Sequence, residues 1–235
     1  MMKRNPIRSF AAWGILMMGL AASATAQHSD VGLALEGGVP VIEQQVVEGM
    51  FGEAPNPANV ADEPGFEAED GVLLPEEFLS FQAVPISVGG ASRNLWYWDG
   101  AGDVAFGESP ETLSIEHPVS GQTLALSTAL PGVVQPGFVI GAADEHGGLH
   151  QDLEFVLGSA TPASGVYLFA LSLQANSIGA VDPVYLVMGA GVEDELLDAA
   201  VDYVNASIVP EPAAVAMLLS AFAWMGLVRR RRSGQ

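Results

Sequence analysis

The chain has no cysteine among its 235 residues, which excludes disulfides, thiolate metal sites and cysteine nucleophiles. It is almost as poor in positive charge. Lys3, Arg4 and Arg8 lie at its beginning and Arg229, Arg230, Arg231 and Arg232 at its end, so Arg93 stands alone between Gln27 and Pro210. The same segment holds 27 of the 28 acidic residues, and 27 negative charges against one positive leave a formal charge of −26. Such a surface repels nucleic acid and anionic lipid, and neither is expected as a partner. It attracts cations, both ions and basic proteins. Adaptation to a saline habitat and a specific cation-binding role account for it equally well. No G-x-S-x-G turn is present, and Gly89-Gly90 is not followed by the Lys-Ser or Lys-Thr of a phosphate-binding loop. The acids are too many for any pair to stand out for glycoside hydrolysis. No catalytic activity is expected, a hydrolase acting on surface polymer being the alternative without a residue to recommend it.

Long apolar runs are confined to the two ends. Near the start, the basic Lys3, Arg4 and Arg8 precede an apolar run from Phe10 to about Ala22, and Ala24-Thr25-Ala26 supplies small residues. This is the layout of a secretory signal peptide over residues 1–26, cut by signal peptidase after Ala26. The run is too short for a membrane span, which needs about 20 apolar residues. At the other end, Val209-Pro210-Glu211-Pro212 precedes a 16-residue apolar run, Ala213–Val228, and then Arg229–Arg232. As a helix the run is about 24 Å long, slightly short for a bilayer core of about 30 Å, and snorkelling arginines can extend it. The positive-inside rule keeps the arginines cytoplasmic and places residues before Val209 outside the inner membrane.

This order of a Pro-Glu-Pro box, an apolar helix and a basic end resembles the PEP-CTERM sorting signal of exosortase substrates. The resemblance covers residues 209–235. It implies a membrane-anchored precursor, removal of the tail near Pro210 by an exosortase, and delivery to the cell surface or the extracellular matrix, where polysaccharide is a further potential partner.

Residues 27–208 are expected to form one acidic domain. Short apolar or alternating segments at Val31–Leu35, Val39–Val47, Phe81–Val88, Leu95–Trp98, Thr112–Glu116, Gln122–Ser127, Gly137–Ala142, His150–Leu157, Val166–Leu173 and Pro183–Met188 read as strands. Gly37-Gly38 reads as the turn between the first two. Glu48 to about Pro75, with Pro55, Pro57 and Pro64, reads as a long surface loop anchored inward by Phe66. Glu193–Val204 places Leu196, Leu197, Ala200, Val201 and Val204 at helical spacing, with Glu193, Asp194 and Glu195 at the positive end of the dipole. The fold class expected is therefore all-β, an antiparallel sandwich or jelly roll with one C-terminal helix, followed by the single hydrophobic sorting helix.

Two features bear on ligands. Trp96 and Trp98 share one face of their strand and Tyr97 takes the other. The indoles therefore serve either the core or a polysaccharide platform, and the core is the commoner use. The second feature is the histidines, His28, His117, His146 and His150. His146 and His150 are four apart, but Gly147-Gly148 argues against a helix, so a turn must bring them together. Imidazole with carboxylate suits zinc, and carboxylates alone suit calcium. A site of His146, His150 and one distant ligand such as His28, His117 or Asp152 is physically sensible. Two solvated histidines in an acidic hairpin are the alternative.

His28-Ser29-Asp30-Val31-Gly32, Pro64-Gly65-Phe66, Leu95–Asp99 and His150–Leu168 are similar to segments of the zinc-regulated (Zur-repressed) PEP-CTERM surface proteins. The chain departs from them in the H-x3-H spacing of its later histidine pair. This resemblance implies a surface role connected with zinc or another divalent ion, carried by His28, Asp30, His146 and His150. Expressed in a Gram-negative host with signal peptidase, the exported chain should begin at Gln27 on N-terminal sequencing. A start within the apolar run or at Met1 would overturn the signal-peptide assignment.

Overall fold

The computed structural model describes residues 30–210. The chain opens with a hairpin of β1 (Val31–Glu36) and β2 (Val39–Ile42), turned at Gly37 and Gly38, both at positive φ. Then come β3 (Val46–Phe51), β4 (Val60–Ala61), β5 (Phe66–Ala68), β6 (Phe78–Val84), β7 (Ile86–Val88) and β8 (Ala91–Arg93). The middle of the chain forms β9 (Trp96–Trp98), β10 (Gly107–Glu108), β11 (Leu113–Glu116), β12 (Thr123–Leu126), β13 (Gln135–Ala142), β14 (Leu149–Gln151) and β15 (Glu154–Leu157). The long β16 (Gly165–Ala175), β17 (Gly179–Ala180), β18 (Val184–Ala190) and one helix, α1 (Asp194–Ser207), complete it. The described protein is thus mostly β with a single C-terminal helix.

β16 is the organising strand. It pairs with β18 along one edge and with both β6 and β9 along the other, inside a sheet of eight strands. Every residue from Gly165 to Leu173 is buried. This run, apolar but for Ser172, whose hydroxyl donates to the Val181 carbonyl, is what a strand covered on both faces requires. Alternation then sorts its side chains into two cores. Tyr167, Phe169, Leu171 and Leu173 join Phe66, Leu113, Ile115 and Phe155 from the smaller sheets. Val166, Leu168 and Ala170 face the other way, onto Trp96, Trp98 and the helix residues Leu197, Ala200 and Val204. Each fully buried Leu or Phe of this kind is worth about 1.5–3 kcal/mol. The helix ends without slack. Ile208 and Val209 both donate to the Val204 carbonyl at 3.0 Å and pack on the helix-side core.

Several expected elements differ in extent or pairing. The strand expected over Val39–Val47 is two strands, β2 and β3, placed in different sheets. The expected loop from Glu48 to Pro75 contains the end of β3 and all of β4 and β5. Its prolines fall between these short strands, and the fully buried Phe66 draws β5 into a sheet. Pro85 divides the Phe81–Val88 strand into β6 and β7, and Asp152-Leu153 divides His150–Leu157 into β14 and β15. The sheets are also mixed. β1 runs parallel to β5, and β3 parallel to β18. The expected sorting helix 213–228, Glu211, Pro212 and Arg229–Arg232 lie outside the described residues, as do residues 1–26 and His28. Val209 and Pro210 lie within them.

Just before β6, the Glu77 carboxylate accepts N–H bonds from Leu74 (2.9 Å) and Ser177 (2.6 Å) and a bond from the Ser177 hydroxyl. These donors, the hydroxyl foremost, hold its carboxyl below the ordinary value of 4.5. A depressed folded-state value means the contribution is present above the ordinary value and lost as pH falls through the lower one. Glu77→Gln should lower the melting temperature at pH 7 by no more than about 3 °C, because the group is only partly buried and solvent screens it. The gap from the parent chain should close as the pH is taken down from 4.5. A gap that widens on acidification would contradict the role given to the ionised carboxylate.

Candidate metal centre

The sheet β14-β5-β1-β2 carries the site. β14 is antiparallel to β5, with His150 opposite Glu67, and β1 is parallel to β5, with Gly32 opposite Glu67. Asp30 precedes β1 beside Gly65. The Val31 N–H donates to the Gly65 carbonyl at 2.8 Å, and the Gly65 N–H returns a bond to Asp30 Oδ1 at 3.0 Å. A strand alternates its faces. One face of this sheet therefore buries Val31, Leu33, Phe66, Ala68 and Leu149 in the core. The opposite face carries Asp30, Gly32, Gly65, Glu67, His150 and Asp152.

Two of those six are glycines, and they form a floor without side chains. A Cβ on Gly65 would lie 2.5 Å from Asp152 Oδ1 and 3.0 Å from Asp30 Oδ1. A Cβ on Gly32 would lie 2.0 Å from the Glu43 carboxylate. The carboxylates thus stand over bare backbone, in space that any other residue would fill.

Above this floor, donor atoms of Asp30, Glu67 and His150 all lie within 4.8 Å of one another. His150 Nδ1 is 3.4 Å from Asp30 Oδ2, and its Nε2 is 3.7 Å from Asp152 Oδ1. Zinc bonds of about 2.0–2.2 Å place tetrahedral donors about 3.3–3.6 Å apart. The Nδ1–Asp30 pair already has that spacing. Glu67 and His150 are exposed and Asp30 is half-buried, the side chains of His150 and Asp30 being 61% and 28% accessible. The site is therefore open to solvent on one side. Carboxylates gathered around one imidazole, in a segment with a single guanidinium, favour a divalent cation there. The imidazole suits zinc better than calcium, which prefers six to eight oxygens.

Of the expected ligands among the described residues, His146 and His117 are placed elsewhere. His146 sits in the turn before β14, where Asp144 Oδ1 accepts the N–H of His146 at 2.7 Å and of Gly148 at 3.1 Å. Those two bonds, His146 first, hold the Asp144 carboxyl below its usual range. The backbone carbonyls of His146 and Gly147 are tied to Gly71 and Leu73. The exposed His146 ring lies 3.5 Å from Glu145 and outside the three-residue donor group. His117 shapes the β11–β12 hairpin, its Nδ1 accepting from Val119 (3.2 Å) and Ser120 (3.4 Å). The sequence does not mark Glu67 as a ligand, because it lies in the segment whose prolines predict a loop. The buried Phe66 beside it was the available sign.

Trp96 and Trp98 are both 3% exposed, and their indoles donate to the carbonyls of Ile86 and Ala101. They belong to the helix-side core and offer no platform to a sugar. Compared with known protein families and with curated proteins, the chain matches none. A fragment of residues 27–210 contains Trp96 and Trp98 as its only tryptophans. Its fluorescence should resist acrylamide quenching and stay unchanged when oligosaccharides are added. Strong quenching, or a sugar-dependent shift, would place the indoles at the surface instead.

Proposed function

We propose that this chain is a non-enzymatic, divalent-metal-binding protein of the cell surface. In this reading it is exported with a cleaved signal peptide and sorted through its PEP-CTERM tail by an exosortase. The observation that supports the metal role is the convergence of Asp30, Glu67 and His150 over the floor made by Gly32 and Gly65. Asp30 and His150 are residues of the segments that resemble the zinc-regulated PEP-CTERM surface proteins. The geometry adds Glu67 to them and leaves His146 aside. Zinc is the favoured ion, with calcium as the competitor. The finer architecture fits a sandwich built from mixed sheets, with the eight-stranded sheet forming one layer and the sheets that contribute Phe66, Leu113 and Phe155 forming the other.

Calorimetric titration of zinc into residues 27–210, prepared without metal-binding tags, should show saturable one-site binding. His150→Ala or Asp30→Asn should weaken it at least tenfold, and His146→Ala should leave it unchanged. Heatless binding, or binding indifferent to His150, would overturn the metal role and leave an acidic matrix protein with incidental histidines. Calcium titrated in parallel should bind more weakly than zinc.

A further inference from the structure

The His150 ring lies between two carboxylates of different standing. Asp30 Oδ2 approaches Nδ1 at 3.4 Å, and Asp30 shares the donor group with Glu67. Asp152 Oδ1 approaches Nε2 at 3.7 Å, and Asp152 is not in that group. A neutral imidazole has one N–H and one lone pair. A metal needs the lone pair, so the other nitrogen is left with the proton. Resting on the metal-site reading above, we infer that Asp152 is a positioning residue, which takes the Nε2–H of His150 and leaves Nδ1 as the nitrogen that ligates the metal beside Asp30 and Glu67.

The backbone is arranged to hold Asp152 in that place. Leu153, the next residue, is fully buried. The Asp152 carbonyl accepts the Gln151 side-chain amide at 2.8 Å. The missing side chain of Gly65 lets the Asp30 and Asp152 carboxylates occupy the two sides of the ring. Closing 3.7 Å to a hydrogen bond of about 2.9 Å takes a side-chain movement of about 0.8 Å. Carboxylates that receive the second N–H of a metal-bound histidine fix its tautomer and ring orientation. Their loss costs about 10- to 100-fold in metal affinity.

The test uses the full chain in detergent, labelled with 15N-histidine and loaded with zinc. Long-range proton–nitrogen NMR distinguishes a metallated nitrogen from a protonated one, and His150→Gln identifies the His150 signals. The expected result is metallated Nδ1 and protonated Nε2 at His150. Asp152→Asn should bind zinc about 10- to 100-fold more weakly, and Asp152→Glu should restore part of that loss. With cobalt in place of zinc, the visible band positions of Asp152→Asn at saturation should match those of the parent chain, because the donor set is the same. Metallated Nε2, unchanged zinc affinity in Asp152→Asn, or a shifted cobalt band that marks Asp152 as a direct ligand would each overturn the inference and leave the metal site standing. The tautomer measurement needs no variant, so a misfolded Asp152→Asn would not obscure the answer. Absence of zinc binding by the parent chain would overturn the metal reading itself.

Discussion

A domain with 27 carboxylates and one guanidinium cannot be held together by ion pairs. Its acids have to be spread into solvent or given donors other than lysine and arginine. Backbone N–H groups take that part repeatedly. Gly65 donates to Asp30, Ala101 to Asp99, His146 and Gly148 to Asp144, and Leu74 and Ser177 to Glu77. The one guanidinium is itself turned inward. Arg93 donates to the Thr128 carbonyl, lies over the Trp96 ring at 5.4 Å and reaches Glu108 only at 3.7 Å. Cohesion therefore rests on apolar burial, and β16 supplies the centre of it by packing both of its faces.

That division of labour explains what could be read in the sequence. The run Gly165–Leu173 and the helical spacing of Leu197, Ala200 and Val204 are local patterns, and a local pattern carries enough information for a strand or a helix packed on a core. The alternation from Leu149 to Leu157 was legible for the same reason. Leu149, Leu153, Phe155 and Leu157 are all buried even though two sheets share them. The division of Val39–Val47 was not legible, because which sheet a short strand joins depends on distant partners. The parallel pairing of β1 with β5 depends on distant partners in the same way.

The site was half legible for a related reason. Asp30 and His150 stood out as residue types near strand starts. Glu67, the third residue of the donor group, lies in a three-residue strand flanked by turn-forming sequence, where Phe66 and Ala68 are the apolar signs. The H-x3-H spacing drew attention to His146, but proximity along the chain counts for little in a sheet. Cross-strand register set the company of His150, placing Glu67 opposite it and Asp30 one strand further on.

The helix terminus has a consequence for whatever engages the chain beyond it. Val209 is bonded to Val204 and packed on the helix-side core, so the packed fold reaches to the residue before Pro210. A hydrolytic enzyme that grips extended chain on both sides of a scissile bond finds no spacer at Pro210. It must either accept the globular body against its own entrance or wait for the final helical turn to fray. In the second case access to the chain at Pro210 would follow the fraying equilibrium of α1.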